Sequence, residues 1–105
     1  MKYWKLAGTW LEHERAEYRL ARSLLQAGEP ARAAAAARRC IDVCEANDAP
    51  PFERFFGWAV HAIAQRSHGD IPAFEASRQQ ALGQYAMIAP DDQKWCDAER
   101  KELEV

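Results

Sequence analysis

The chain has 105 residues, enough for one domain and too few for two independent cores. Hydrophobic residues make up 49% and charged residues of mixed sign 29%, a balance that excludes a disordered chain. A formal net charge of −2 provides no long-range field to gather nucleic acid or anionic lipid. No uninterrupted apolar run is long enough for a signal peptide or a membrane span.

Ala, Arg, Glu, Gln and Leu are abundant and Thr occurs only at Thr9, so the composition leans helical. Five helical segments are expected. Gly8-Thr9 is expected to break a short aromatic N-terminal segment, with Thr9 and Glu12 forming a capping box. The first long helix then runs from about Trp10 to Ala27. Leu11, Tyr18, Ala21 and Leu25 form its buried stripe, widened by Leu20 and Leu24. Gly28 stops that helix, and Pro30 opens a second that reaches about Ala46 through an alanine run, Ile41, Val43 and Cys44.

Asn47-Asp48-Ala49-Pro50-Pro51 reads as a loop. A third helix follows from Pro51 or Phe52 to about Ser67, with Phe52, Phe55, Phe56, Ala59 and Ile63 on one side. Trp58 points elsewhere, so this helix is apolar on more than one side and is expected to lie centrally, against both hairpins. His68-Gly69-Asp70 is the next turn, with Asp70 as N-cap and Pro72 in the first turn of a helix reaching about Ile88. Pro90 breaks it, and Asp91 or Asp92 is expected to cap a last helix carrying Trp95, Cys96 and Leu103. No segment alternates strictly enough for a strand.

The chain aligns with itself at a spacing of 41, the separation of Gly28 and Gly69. At that offset Ala21 lies over Ala62, Glu29 over Asp70, Ala35 over Ala76, Cys40 over Ala81, Ile41 over Leu82 and Cys44 over Tyr85. Each copy reads as a long helix, Gly plus an acid, a helix with an early Pro and a Pro-containing loop. Such a period signals stacked helical hairpins, each too thin to bury its own apolar face.

Gln26-Ala27-Gly28-Glu29 and Ser67-His68-Gly69-Asp70 resemble the turn of a tetratricopeptide repeat, and Ala21, Ala33, Cys40, Ala62 and Ala81 match its small positions. Trp58 matches the aromatic opening that family's first helix. Glu17 stands in that place in copy one, His61 and Gln65 replace apolar residues, and Phe74 replaces a small one. The period exceeds the family's usual ~34. The resemblance implies an all-α superhelix of two hairpins, with copies at about 10–48 and 51–89 and a C-terminal capping helix at about 91–104, in one domain over 1–105. It also implies a concave groove lined by the first helix of each hairpin. Arg15, Tyr18, Arg22 and Leu25 would line it from copy one, and Phe56, Ala59, Ile63 and Arg66 from copy two. Tyr18 and Arg22 stand where the best-known peptide-holding version has its carboxylate clamp of Lys and Asn, so that clamp is absent. The mixture of Arg15, Arg22 and Arg66 with Tyr18, Leu25 and Ile63 suits an acidic, partly apolar segment.

Other constellations are weaker. Cys40 and Cys44 lie one helical turn apart, but His61, His68 or Cys96 would have to complete a metal site from distant helices. Core packing among Ala33, Ala36 and Ala37 is the preferred reading, and no metal or cofactor is expected. His13-Glu14-Arg15-Ala16-Glu17 is similar to the start of a zinc-protease helix but has Glu17 where the second His belongs. No nucleophile elbow, phosphate-cradling loop or paired Glu-x-x-His motif is present, so no enzyme is expected. Acids interrupt every basic stretch, which argues against a nucleic-acid footprint. Helical charge pairs are expected for Glu12 with Arg15, Glu29 with Arg32, and Arg38 or Arg39 with Asp42.

Three cysteines and no secretory signal point to reduced thiols in the cytoplasm. The leading expectation is an interaction or scaffold module that binds a protein segment or pairs as a homodimer. The alternative is a small-molecule sensor or accessory subunit with a ligand between the hairpins near Trp58, His61 and Trp95.

Overall fold

A computed structural model describes the backbone of residues 2–104 and the side chains of residues 10–104. It is all-helical, with no strand among the described residues. The elements are α1 (Lys2–Gln26), α2 (Pro30–Ala46), α3 (Pro51–Ser67), α4 (Ile71–Ala86), α5 (Pro90–Gln93), a 3-10 turn (Lys94–Cys96) and α6 (Asp97–Glu102). Helices α1 to α4 pack each on the next, and α3 also touches α1 and α6.

The two glycine turns have the same hydrogen-bond pattern. At the end of α1 the Glu29 amide donates to the Leu24 carbonyl (2.9 Å) and the Gly28 amide to the Leu25 carbonyl (3.1 Å). At the end of α3 Asp70 donates to Gln65 (2.9 Å) and Gly69 to Arg66 (3.0 Å). Gly28 and Gly69 take the left-handed φ that this closure demands, 76° and 86°. Asp48 does the same after α2 at φ 49°, with Ala49 donating to the Cys44 carbonyl at 2.9 Å. Asp70 caps α4 as expected, its carboxylate accepting from the Ala73 amide at 3.2 Å.

Helix α3 is the middle of the structure. Its Val60 and Ala64 join Ala21, Leu24, Ala33, Ala36 and Ala37 of α1 and α2 in one cluster. Its Phe55, Ala59, Ala62 and Ile63 join Phe74 and Ala81 of α4, with Ile88, Cys96 and Leu103 from beyond it, in a second. Trp58 lies on the α2 side, with the Arg38 guanidinium 5.9 Å above its ring. The 41-residue offset pairs buried positions: Ala21 with Ala62 and Cys40 with Ala81 are all 0% exposed. Where copy one has Leu20, Leu24 and Ala36, copy two has His61, Gln65 and Ser77, joined by hydrogen bonds. Ser77 Oγ donates to Gln65 Oε1 (2.7 Å) and lies 3.2 Å from His61 Nδ1, which is therefore the donor of that pair. Burial and the nearby Arg38 charge lower the His61 pKa, favouring the neutral ring.

Four expectations are corrected. Helix α1 runs unbroken through Gly8-Thr9, so Thr9 is not an N-cap. An interior glycine costs about 1 kcal/mol, which good helix formers on both sides offset once the helix is propagating; the Thr9 hydroxyl lies outside the described side chains. Leu20 is 42% exposed rather than part of the buried stripe. The last helix is capped at Ala89 with Pro90 as its first residue, and Asp91 and Asp92 sit inside the first turn, where the helix dipole favours them. Arg15 pairs with Glu53, not Glu12, whereas Glu29–Arg32 (2.9 Å) and Arg38–Asp42 (3.2 Å) form as expected.

The turns and the helix interiors make opposite demands on glycine. Gly69→Ala places a side chain at φ 86° and is expected to lower stability by about 1 kcal/mol. Gly83→Ala, in α4 with open space around a Cβ, is expected to raise it by about 0.5–1 kcal/mol. Thermal denaturation of the two variants would show midpoint shifts of opposite sign.

Candidate functional site

The first helices of the two hairpins, α1 and α3, present a common face, and α6 lies across part of it. The α6 segment carries Asp97, Glu99, Glu102 and Glu104 against Arg100 and Lys101, with Leu103 as its apolar anchor. Leu103 is 1% exposed and enters the α3–α4 cluster. The Tyr18 hydroxyl donates to Glu99, and Arg22 Nη2 pairs with Glu102 at 3.0 Å. Arg78 Nε and Arg66 Nη1 donate to the carbonyls of Leu103 (2.8 Å) and Glu104 (3.4 Å), groups that the end of a helix leaves unpaired. Burial, then the hydrogen bond to Glu99, raises the Tyr18 pKa, so the phenol stays a donor. Arg22 Nη1 is buried without an acceptor among the described residues. Beside it a cleft of about 330 Å³ is lined by Arg22, Leu25, Gln26, Ile63, Ser67 and Glu102, among others.

Above Tyr18 the face is open. A second cleft, about 280 Å³, is lined by Glu14, Arg15, Tyr18, Arg19, Phe52, Glu53 and Phe56. Its aromatic wall is ordered by edge-on contacts: Phe56 meets Tyr18 at 5.7 Å, Phe52 at 5.1 Å and Phe55 at 5.3 Å between centroids. Arg15 grips Glu53 with two donors, Nη2 to Oε2 at 2.7 Å and Nε to Oε1 at 3.3 Å.

Glu14, on the floor of this cleft, is 1% exposed, and Glu53 is 6% exposed. Cys40 Sγ donates to Glu14 Oε1 at 3.3 Å, while Glu14 Oε2 is buried with no donor facing it. Burial, then the hydrogen bond and negative charge of Glu53, push the Glu14 carboxyl up to about 8. A Glu14 that keeps its proton can donate it to Glu53, which resolves the contact between two acids. The Cys40 thiol is raised above its ordinary value by its hydrogen bond with Cys44, by burial and by Glu14. The donor atoms of Glu14, Cys40 and Cys44 lie within 4.8 Å of one another, close enough to reach a common ion.

Of the residues that the repeat resemblance placed in a groove, Arg15 and Tyr18 line one cleft and Arg22, Leu25 and Ile63 the other. Arg15, Arg22 and Arg66 are already engaged by Glu53, Glu102 and the Glu104 carbonyl, and Arg66 also covers the Phe74 ring at 5.0 Å. Phe56 is half-buried in the open cleft, and Ala59 is fully buried beneath the surface. Trp58 and His61 stand edge to edge at 6.1 Å, but Trp95 is 65% exposed beside Lys94. Sequence reasoning missed Glu14 and Glu53. The signal for Glu14 was its spacing: it falls three residues after Leu11, four before Tyr18 and seven before Ala21, on the buried stripe itself.

Comparison with known protein families, characterised proteins and solved structures gives no match for this chain.

The Glu14 carboxyl has a definite pH signature. Its pKa is about 8 in the fold against an ordinary 4.5, so between these values the folded chain holds a proton that the unfolded chain has released. This contribution is fully present below pH 4.5 and is lost as pH rises through about 8. In metal-free buffer, denaturant unfolding is expected to show the wild type losing stability relative to Glu14→Gln between about pH 5 and 8. The slope approaches at most ~1.4 kcal/mol per pH unit. Parallel pH profiles would place an ionised carboxylate in the core instead.

Proposed function

We propose that the chain is a divergent, long-period tetratricopeptide-like module with no catalytic role. In this reading its α1–α3 face receives an acidic, partly apolar helical segment of a partner protein. Helix α6 is the segment this face holds in the partner's absence. The observation that carries the reading is the match between that face and α6: Tyr18, Arg22 and Arg66 all bond to the acidic side chains or a terminal carbonyl of one short segment anchored by Leu103, and Arg78 of α4 bonds to it from beside the face.

Several features support the module. Both glycine turns close with the same pair of hydrogen bonds. Helices stack in chain order around α3, as hairpin repeats do. No described helix is long and apolar enough to cross a membrane, and all three cysteines are free and buried, which fits a reducing cytoplasm. The open aromatic cleft above Tyr18 leaves room for a segment longer than α6, and the buried Arg22 Nη1 has no acceptor among the described residues. A second copy of the chain offers the same chemistry through its own α6, which is the route to a homodimer.

The face can be tested with α6 supplied in trans. A chain carrying Glu99→Lys and Glu102→Lys loses its own occupant's charges, and a labelled peptide of residues 94–105 is then titrated against it. Fluorescence anisotropy is expected to show binding at about 100 µM or tighter, on the order of −5.5 kcal/mol. Adding Arg22→Glu is expected to weaken it at least tenfold. Absence of binding near 1 mM peptide, or binding indifferent to Arg22, contradicts the proposal.

A further inference from the structure

Positions 14 and 55 are equivalent under the 41-residue offset, and both are buried, at 1% and 0% exposure. The second hairpin fills this place with a phenylalanine ring, and the first fills it with a carboxyl group. A buried carboxyl is costly unless its oxygens find partners, and a thiol donor beside a second acid is a weak return. Glu14 Oε1 has the Cys40 sulfur at 3.3 Å, and Oε2 meets no donor among the described residues. Cys44, one turn along α2, brings a second sulfur to the same point, so that all three donor atoms lie within 4.8 Å of one another. Helix α3 makes room for this at Gly57, where an added Cβ would come 3.3 Å from Cys40 Sγ.

We propose that Glu14, Cys40 and Cys44 bind a thiophilic divalent cation of the zinc class. Two sulfurs and one carboxylate oxygen supply three ligands, and the fourth position is taken by water or an incoming donor from the α1–α3 cleft. A tetrahedral zinc centre has Zn–S bonds of about 2.3 Å and Zn–O bonds of about 2.0–2.2 Å, which puts its ligand atoms roughly 3.3–3.8 Å apart. Sulfur donors select this class of ion over magnesium or calcium, which take oxygen ligands. The two thiols and the Glu14 carboxyl release their protons on binding, and the ion's charge offsets most of the negative charge it gathers. Glu53 stands beside Glu14, and the Arg15 guanidinium bonded to it offsets the negative charge of the pair. The open cleft that Glu14 lines gives an ion its route.

The test is titration of the full, reduced chain with Zn²⁺, followed by X-ray absorption of the loaded protein. One ion per chain is expected, with two sulfur neighbours at about 2.3 Å and oxygen neighbours near 2.0 Å. Glu14→Gln preserves side-chain size and is expected to weaken binding at least tenfold with helicity unchanged. Cys40→Ser and Cys44→Ser are each expected to weaken it a hundredfold or more. Failure of the wild type to bind at micromolar Zn²⁺ overturns the proposal, and so does a loaded centre with fewer than two sulfur neighbours. Undiminished binding by folded Cys40→Ser or Glu14→Gln protein also overturns it. The absorption result on the wild type decides the matter even if a cysteine variant fails to fold.

Discussion

Helix α3 cannot be covered from one side. Val60 and Ala64 need the α1–α2 pair, while Phe55, Ala59, Ala62 and Ile63 need α4 and the residues beyond it. Fully burying a single one of its larger side chains contributes about 1.5–3 kcal/mol, so leaving either flank wet would cost a large part of a small domain's stability. The order of the fold follows. Two tight glycine turns return the chain antiparallel on each side of α3, and the two hairpins share it as a common wall. The small residues Ala21, Ala62, Cys40 and Ala81 let the helices approach, and Gly57 lets α2 pass close to α3.

The same constraint explains why the C-terminal segment folds back. The α3–α4 cluster is unfinished without Ile88, Cys96 and Leu103. Leu103 brings the acids of α6 against Tyr18 and Arg22, and the last carbonyls of α6 against Arg66 and Arg78. Apolar burial supplies most of the attachment, because half-exposed ion pairs contribute roughly 0–1 kcal/mol each. The charges set which segment fits and in what orientation. In the proposed function this surface exchanges α6 for a partner's segment, and the segment to be displaced is short and half polar.

Most of the backbone was legible in the residues. Gly28, Gly69, Asp70, Pro30 and Pro51 mark turns and helix starts because each solves a local problem of φ or of an unpaired amide, which needs no tertiary information. The set Arg15, Tyr18, Arg22 and Leu25 on α1 came from matching its glycine turn to the repeat, and the first two line one cleft and the last two the other. Gly8-Thr9 misled, because a local break signal lost to the cooperativity of a long helix. Leu20 misled because hydrophobicity marks what can be buried, and the fold had no partner for it. Glu14 escaped because a carboxylate on an apolar stripe is ordinarily discounted, and only the packing shows that it meets Cys40. The α6 acids Glu99 and Glu102 lie against Tyr18 and Arg22 of α1. Nothing in helical spacing could show that the two would meet.

The central claim is that α6, anchored by Leu103, is held in register on the α1–α3 face by the Arg22–Glu102 pair, and amide hydrogen exchange across a charge swap tests it most directly. The account predicts slow exchange for the amides around Leu103 in the wild type, faster exchange in Arg22→Glu and in Glu102→Arg, and recovery in the chain carrying both. Exchange at the rate of a free peptide in the wild type would contradict it, as would a double variant no slower than either single one.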